Sequence, residues 1–135
     1  MTPWLRYLIA FVVFCHGFIY VRIGSVLPGP FKEWKGSSWL LGGTVTDGQL
    51  KILVVGLHVL AGIATIACAV AIGLAPYFPG WWRPLALSSG AVGIGAFAVF
   101  WDGQIQFLVQ EGVIGAIISI ILALSAVAFP FAFGR

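Results

Sequence analysis

The chain has 135 residues, 61% of them hydrophobic and 8% charged, with a net charge of +3 and a mean hydropathy of +1.07. A soluble domain carries roughly 25% charge because its surface must be wetted, so this composition excludes an ordinary soluble fold and assigns the apolar surface to lipid. The basic residues Arg6, Arg22, Lys32, Lys35, Lys51, Arg83 and Arg135 are dispersed, which excludes a nucleic-acid binder, whose basic side chains gather on one face.

The first apolar run covers residues 4–23. About 20 residues at 1.5 Å each cross the ~30 Å hydrocarbon layer. No small-residue cleavage site follows it, and Phe14 stands before Cys15 where a lipoprotein-type site wants a small residue; the segment is expected to be retained as a span. Pro28, Gly29 and Pro30 then stop the helix. The connection over 24–49 is too long for a turn, and Phe31, Trp34, Trp39, Leu40 and Leu41 make it too apolar for a free linker.

Thr46 and Gln49 have capping-box spacing and open the second run, 50–74. Pro76, Pro79 and Gly80 keep the next connection short, so the second and third spans should be adjacent and antiparallel. The third run is 82–101 and ends at Asp102-Gly103. Residues 104–110 partly alternate polar and apolar, and they lie on the same side as the first connection; the two are expected to pack as a small extramembrane cap, as short strands or an interfacial helix. The fourth run is 112–131, with Glu111 at its start, where an acid suits the helix dipole, and Pro130 at its end. Backbone groups in lipid must be satisfied within the segment. The expected fold is therefore an all-α membrane protein, one domain over 1–135, built as a four-transmembrane-helix bundle. Trp4, Trp34, Trp39, Trp81, Trp82 and Trp101 fall at span ends or in connections, where indole rings prefer the headgroup level. The counts of Lys and Arg on the two sides are nearly balanced; the short, acid-free loops and the amine on the N-terminal side place both termini in the cytoplasm of a bacterial inner membrane.

Helices in lipid associate through close approach at small residues. The second span offers Ala61, Thr65, Ala69 and Gly73 at successive i+4 positions. The third offers Ser89 with Gly93, Ala91 with Gly95, and Gly90; the fourth offers Gly115, Ser119 and Ala123. These stripes serve packing within the bundle or against another subunit.

His16 and His58 are the polar residues in the most costly positions, since ionisable groups within a span usually face the interior. Each lies about eight residues from the same membrane surface, so both sit ~12 Å deep and could meet or share a partner. They either pin helices through carbonyls and hydroxyls, ligate a haem or a metal, or line a pocket for a small molecule. Arg22 and Asp102 end the first and third spans on one side, which suits a structural ion-pair clasp. Cys15 and Cys68 differ in depth by ~14 Å, beyond the ~7 Å between Cα atoms that a disulfide allows. No metal-ligand spacing, phosphate loop or nucleophile motif is present, which argues against an enzyme.

Leu5-Arg6-Tyr7 followed by His16-Gly17, and Trp101-Asp102-Gly103-Gln104 leading into Glu111-Gly112 and Gly115, resemble the small four-span bacterial membrane proteins called DoxX-like. The resemblance implies a four-helix bundle and, in some members, association with quinone-linked oxidoreductases. Members often carry a second histidine soon after the His-Gly pair, where this chain has Tyr20 and Arg22. Two functions follow. The first is a non-catalytic accessory or scaffold subunit, partnered by lipid and by other membrane subunits or its own copies, in a respiratory or photosynthetic complex. The second is a protein that binds haem, quinone or another lipid through His16 and His58.

Overall fold

The computed structural model describes residues 2–26, 37–103, 105, 113–129 and 133, with the backbone alone for 23–26. Four helices follow one another: α1 (Pro3–Val26), α2 (Asp47–Gly73), α3 (Trp82–Phe100) and α4 (Val113–Ala128). No strand occurs among the described residues. The first three helices are long and apolar enough to cross a membrane. The described part of α4 has 16 residues, about 24 Å of helix, and is apolar apart from Ser119 and Ser125. Expectations that rest on Pro28, Pro30, Gln104, Glu111, Gly112 or Pro130 lie outside the described residues.

Local chemistry sets the ends. Thr46 caps α2 with the full reciprocal box: its side chain accepts from the Gln49 backbone N–H, and the Gln49 side chain accepts from the Thr46 N–H at 3.0 Å. The box satisfies two backbone donors that a helix start leaves free. At the far end the Leu74 N–H returns to the Val70 carbonyl, and the chain turns through Pro76, Pro79 and Gly80. Gly80 has φ +85°, a left-handed conformation that a side chain would strain. The first connection closes as turns over 39–44, not as a strand. Trp39 donates its N–H to the Trp101 carbonyl at 3.0 Å, and the two indoles meet at 5.5 Å. The end of this connection is thereby tied to the end of α3. Leu41 and Val45 continue inward onto a core cluster of Leu50, Val54, Val99 and Phe100.

Consecutive helices pack against each other, α1 on α2, α2 on α3 and α3 on α4. Glycines set the closest approaches. A Cβ on Gly62 would lie 2.8 Å from the Gly17 carbonyl oxygen, and one on Gly17 would lie 3.0 Å from the Gly62 oxygen. The α1 and α2 backbones therefore touch at this crossing, which excludes even a methyl group. On α3, a Cβ on Gly90 would lie 2.6 Å from the Ala123 Cβ, and one on Gly93 would overlap the Ser119 hydroxyl. A second core cluster at the opposite end joins all four helices through Val13, Cys68, Ile72, Trp82, Ala86, Leu122 and Ala126. Arg83 Nε donates to the Ala126 carbonyl at 3.1 Å and satisfies one of the last acceptors of α4.

The outside is as apolar as the inside. Phe11, Phe14, Phe18, Ile52, Ile63, Ile117, Ile121 and Leu124 are all exposed, the surface that a lipid-facing bundle requires. Trp4, Trp39 and Trp81 are exposed, in keeping with a headgroup position. Trp82 departs from that expectation. It is wholly buried, edge-on to Phe133, and serves as core.

Candidate functional site

Polar residues of α1, α2 and α4 converge at one place in the bundle. His16 and Tyr20 lie one turn apart on α1, so both project from the same face. His16 is 6% exposed and Tyr20 5%, with ring centroids 4.9 Å apart in an edge-on arrangement. His58, from α2, is 2% exposed and brings its ring to 5.9 Å from Tyr20. Phe100, from the last turn of α3, closes the far side of His58 at 5.2 Å. From α4, Ser119 shares a 3.1 Å hydrogen bond with the Tyr20 hydroxyl. All four helices thus contribute to one buried cluster.

The two histidines differ in how they are satisfied. His58 Nδ1 lies 2.8 Å from the Val54 carbonyl oxygen of its own helix. A carbonyl only accepts, so Nδ1 carries the proton and donates it. Nε2 of the neutral ring is left as a lone-pair acceptor. His16 Nε2, by contrast, is buried with no hydrogen-bond partner. Its ring packs against Gly115, where an added Cβ would lie 3.5 Å from His16 Cε1 and 3.2 Å from the Tyr20 oxygen. A buried polar atom without a partner typically costs about 1–3 kcal/mol, and in hydrocarbon no water stands ready to relieve it.

One step further along α2, Thr65 donates to the Ala61 carbonyl at 2.7 Å and lies 2.6 Å from the Ser89 hydroxyl. Thr65 has spent its hydrogen on Ala61, so Ser89 is the donor of that pair. This contact is fully satisfied and ties α2 to α3.

The small residues named from sequence are mostly consumed inside. Ala61, Thr65, Ala69, Ser89, Gly90, Gly93 and Ser119 are buried, while Gly73 and Gly115 are half-buried. Gly95 has nothing within 4 Å of where a Cβ would stand. Arg22, exposed near the end of α1, and Asp102, half-buried just past α3, each engage a partner. Cys15 and Cys68 are both free thiols.

Sequence reasoning singled out His16 and His58 but missed the residue that joins them. Tyr20 stands four residues after His16, the spacing that places side chains one above the other on a helix, and that spacing was the available signal. Phe100 carried none, because an apolar ring near a span end is ordinary. No family model, curated protein or solved structure matches the chain.

The cluster does not fit a haem held by both histidines. An iron between two imidazoles needs an open slot for the porphyrin disc. Here the Tyr20 ring packs on both imidazoles, and the Gly93 and Gly115 backbones approach its hydroxyl. Among the described residues no group of three or more His, Cys, Asp or Glu side chains could hold a metal ion.

Proposed function

We propose that the chain is an integral membrane protein that binds a lipid-soluble ligand with a polar ring headgroup, of the quinone class, at His16, Tyr20 and His58. One observation carries this reading: His16 Nε2 is buried and unpartnered beside a second imidazole and a phenol. The His58 ring has a close carbonyl partner in Val54, whereas the His16 ring has only the Gly115 backbone beside it and its Nε2 makes no hydrogen bond of good geometry. A ligand headgroup supplies the missing partner. The DoxX-like resemblance, with its quinone-linked members, points the same way. In this reading α4 is the fourth span, the first and third connections form the cap, and the termini face the cytoplasm of a bacterial inner membrane. The ligand is bound rather than turned over by residues of this chain alone.

The test uses the full chain in lipid nanodiscs, titrated with a decyl-chain benzoquinone. A ligand that binds only the folded state raises thermal stability by about 2.7 kcal/mol at a hundred times its Kd. The unfolding temperature should rise in the native chain and not in His16→Phe. An unchanged unfolding temperature in the native chain at saturating quinone ends this reading.

A second reading, an accessory subunit of a larger membrane complex, draws on α1. Its outer face exposes Phe11, Phe14 and Phe18, and Ala10, Phe11 and Phe14 form an open groove of about 200 Å³ with Ala69 and Val70. Isolation from native membranes in mild detergent should bring stoichiometric partner subunits with the chain; isolation alone counts against it.

A further inference from the structure

We infer that the groove on α1 holds one acyl chain of an anionic phospholipid, whose phosphate is bound by Arg6 at the membrane surface above it. The site is separate from the histidine cluster, and it gives the groove an occupant smaller than a subunit. The first ground is the state of Arg6. It lies half-buried in the first turn of α1, with its guanidinium over the exposed Tyr7 ring at 4.9 Å. Its Nε is covered by neighbouring atoms and has no hydrogen-bond partner. A guanidinium is always charged and offers five N–H donors in a planar fork that matches a phosphate. Among the described residues the acids are Asp47, which opens α2, and Asp102, which follows α3. Both stand at the end of the bundle that holds Leu50 and Phe100, opposite to Arg6. Arg83, bonded to the end of α4, adds a second positive charge at the Arg6 end. An anionic headgroup supplies this end with the acceptors and the counter-charge.

The second ground is the shape below Arg6. Ala10 and Phe14 follow it at one-turn and two-turn spacing, and with Phe11, Ala69 and Val70 they line an open, apolar groove of about 200 Å³. Phe11, Phe14 and Val70 are exposed, so the groove opens directly onto lipid and needs no gate. At 1.5 Å per residue it starts about 6 Å below Arg6 and reaches about 12 Å. The headgroup layer is about 5–8 Å deep on each face of a bilayer. A phosphate held at Arg6 therefore places its first methylenes where the groove begins. The space takes one flexible chain; a helix, about 10–12 Å across, is too wide to seat in it. An acyl chain gains no hydrophobic energy by leaving other lipid, so selection among lipids falls to the headgroup and to Arg6.

The experiment holds the full chain in mild detergent with an equimolar mixture of phosphatidylglycerol and phosphatidylcholine of identical acyl chains. Lipids retained on each chain are read by native mass spectrometry. One arginine at a membrane surface favours an anionic lipid about fivefold, so phosphatidylglycerol should be retained about five times as often. Arg6→Gln, in the exposed first turn of α1, should bring the two lipids to near-equal retention. Val70→Phe fills the groove from its exposed wall and should lower retention of both lipids while Arg6 stays in place. Millimolar inorganic phosphate should leave the bound phosphatidylglycerol where it is, because the chain in the groove holds it as well as the headgroup. Equal retention by the native chain, a preference that survives in Arg6→Gln, unchanged retention in Val70→Phe, or displacement by inorganic phosphate each overturns the inference. None of these outcomes bears on the histidine site, which the benzoquinone titration tests by itself.

Discussion

Two kinds of helix seam occur in this molecule, and they solve the same problem in opposite ways. At the α1–α2 crossing and along α3–α4, side chains have been removed until backbones touch, with Gly17 against Gly62 and Gly90 against Ala123. Between α1 and α4, the gap is filled by His16 and Tyr20. In lipid, burying an apolar side chain gains nothing over leaving it exposed, so tight seams must draw on dispersion at short range. The ring-filled seam forgoes that gain and leaves a polar atom of His16 without a partner. The same chain thus uses glycine at two seams and polar rings at a third.

The largest effect should come from Gly62→Ala. Its methyl would sit 2.8 Å from the Gly17 oxygen and equally close to the Val21 nitrogen, and backbone cannot yield as a side-chain tip does. Overpacking of this kind costs about 1–3 kcal/mol, readable as a lower unfolding temperature in detergent. A variant as stable as the native chain would show that the crossing is looser than described.

A smaller loss is expected from breaking the tie across the open seam. Tyr20→Phe removes one hydrogen bond, worth about 0.5–1.5 kcal/mol. Combined with Ser119→Ala in a double-mutant cycle, it should show a coupling of about 0.6 kcal/mol. A coupling of several kcal/mol would mean that α1 and α4 are locked, and the contrast between the seams would fail.

Replacing His16 by Phe should be close to neutral or stabilising. The native imidazole already leaves Nε2 unsatisfied, and a phenyl ring of similar size carries no such penalty. Marked destabilisation on thermal melting would show that the contact of the imidazole with the Gly115 backbone is a structural bond. The least effect belongs to Gly56→Ala. A Cβ there meets nothing within 4 Å, and alanine is the better helix former by up to about 1 kcal/mol; any clear loss of stability would identify Gly56 as a contact to another subunit.

Much of the framework was legible beforehand because it rests on short-range chemistry. The capping box at Thr46 and Gln49 needs only four residues, and it is present as read. The break at Pro76, Pro79 and Gly80 lies where proline removes donors and glycine permits a positive φ. The site was only half legible. His16 and His58 stand out because an imidazole is costly in hydrocarbon, but a tyrosine within a span is cheap enough to be overlooked. The crossing at Gly17 and Gly62 was missed as well, since neither belongs to a run of small residues at i+4 spacing.

The sequence by itself determined the number of apolar segments, their lengths and their punctuation, because hydrocarbon thickness and backbone hydrogen bonding act on each segment alone. It left undecided which faces meet. Every helix here is apolar on all sides, so no amphipathic stripe marks an inner face, and several small-residue stripes compete equally well. Tertiary structure alone chose among them. It set Tyr20 beside both histidines, turned Trp82 from an interfacial ring into core, and left one seam to be filled by polar rings, because crossing geometry depends on the fit of two surfaces and neither helix encodes it alone.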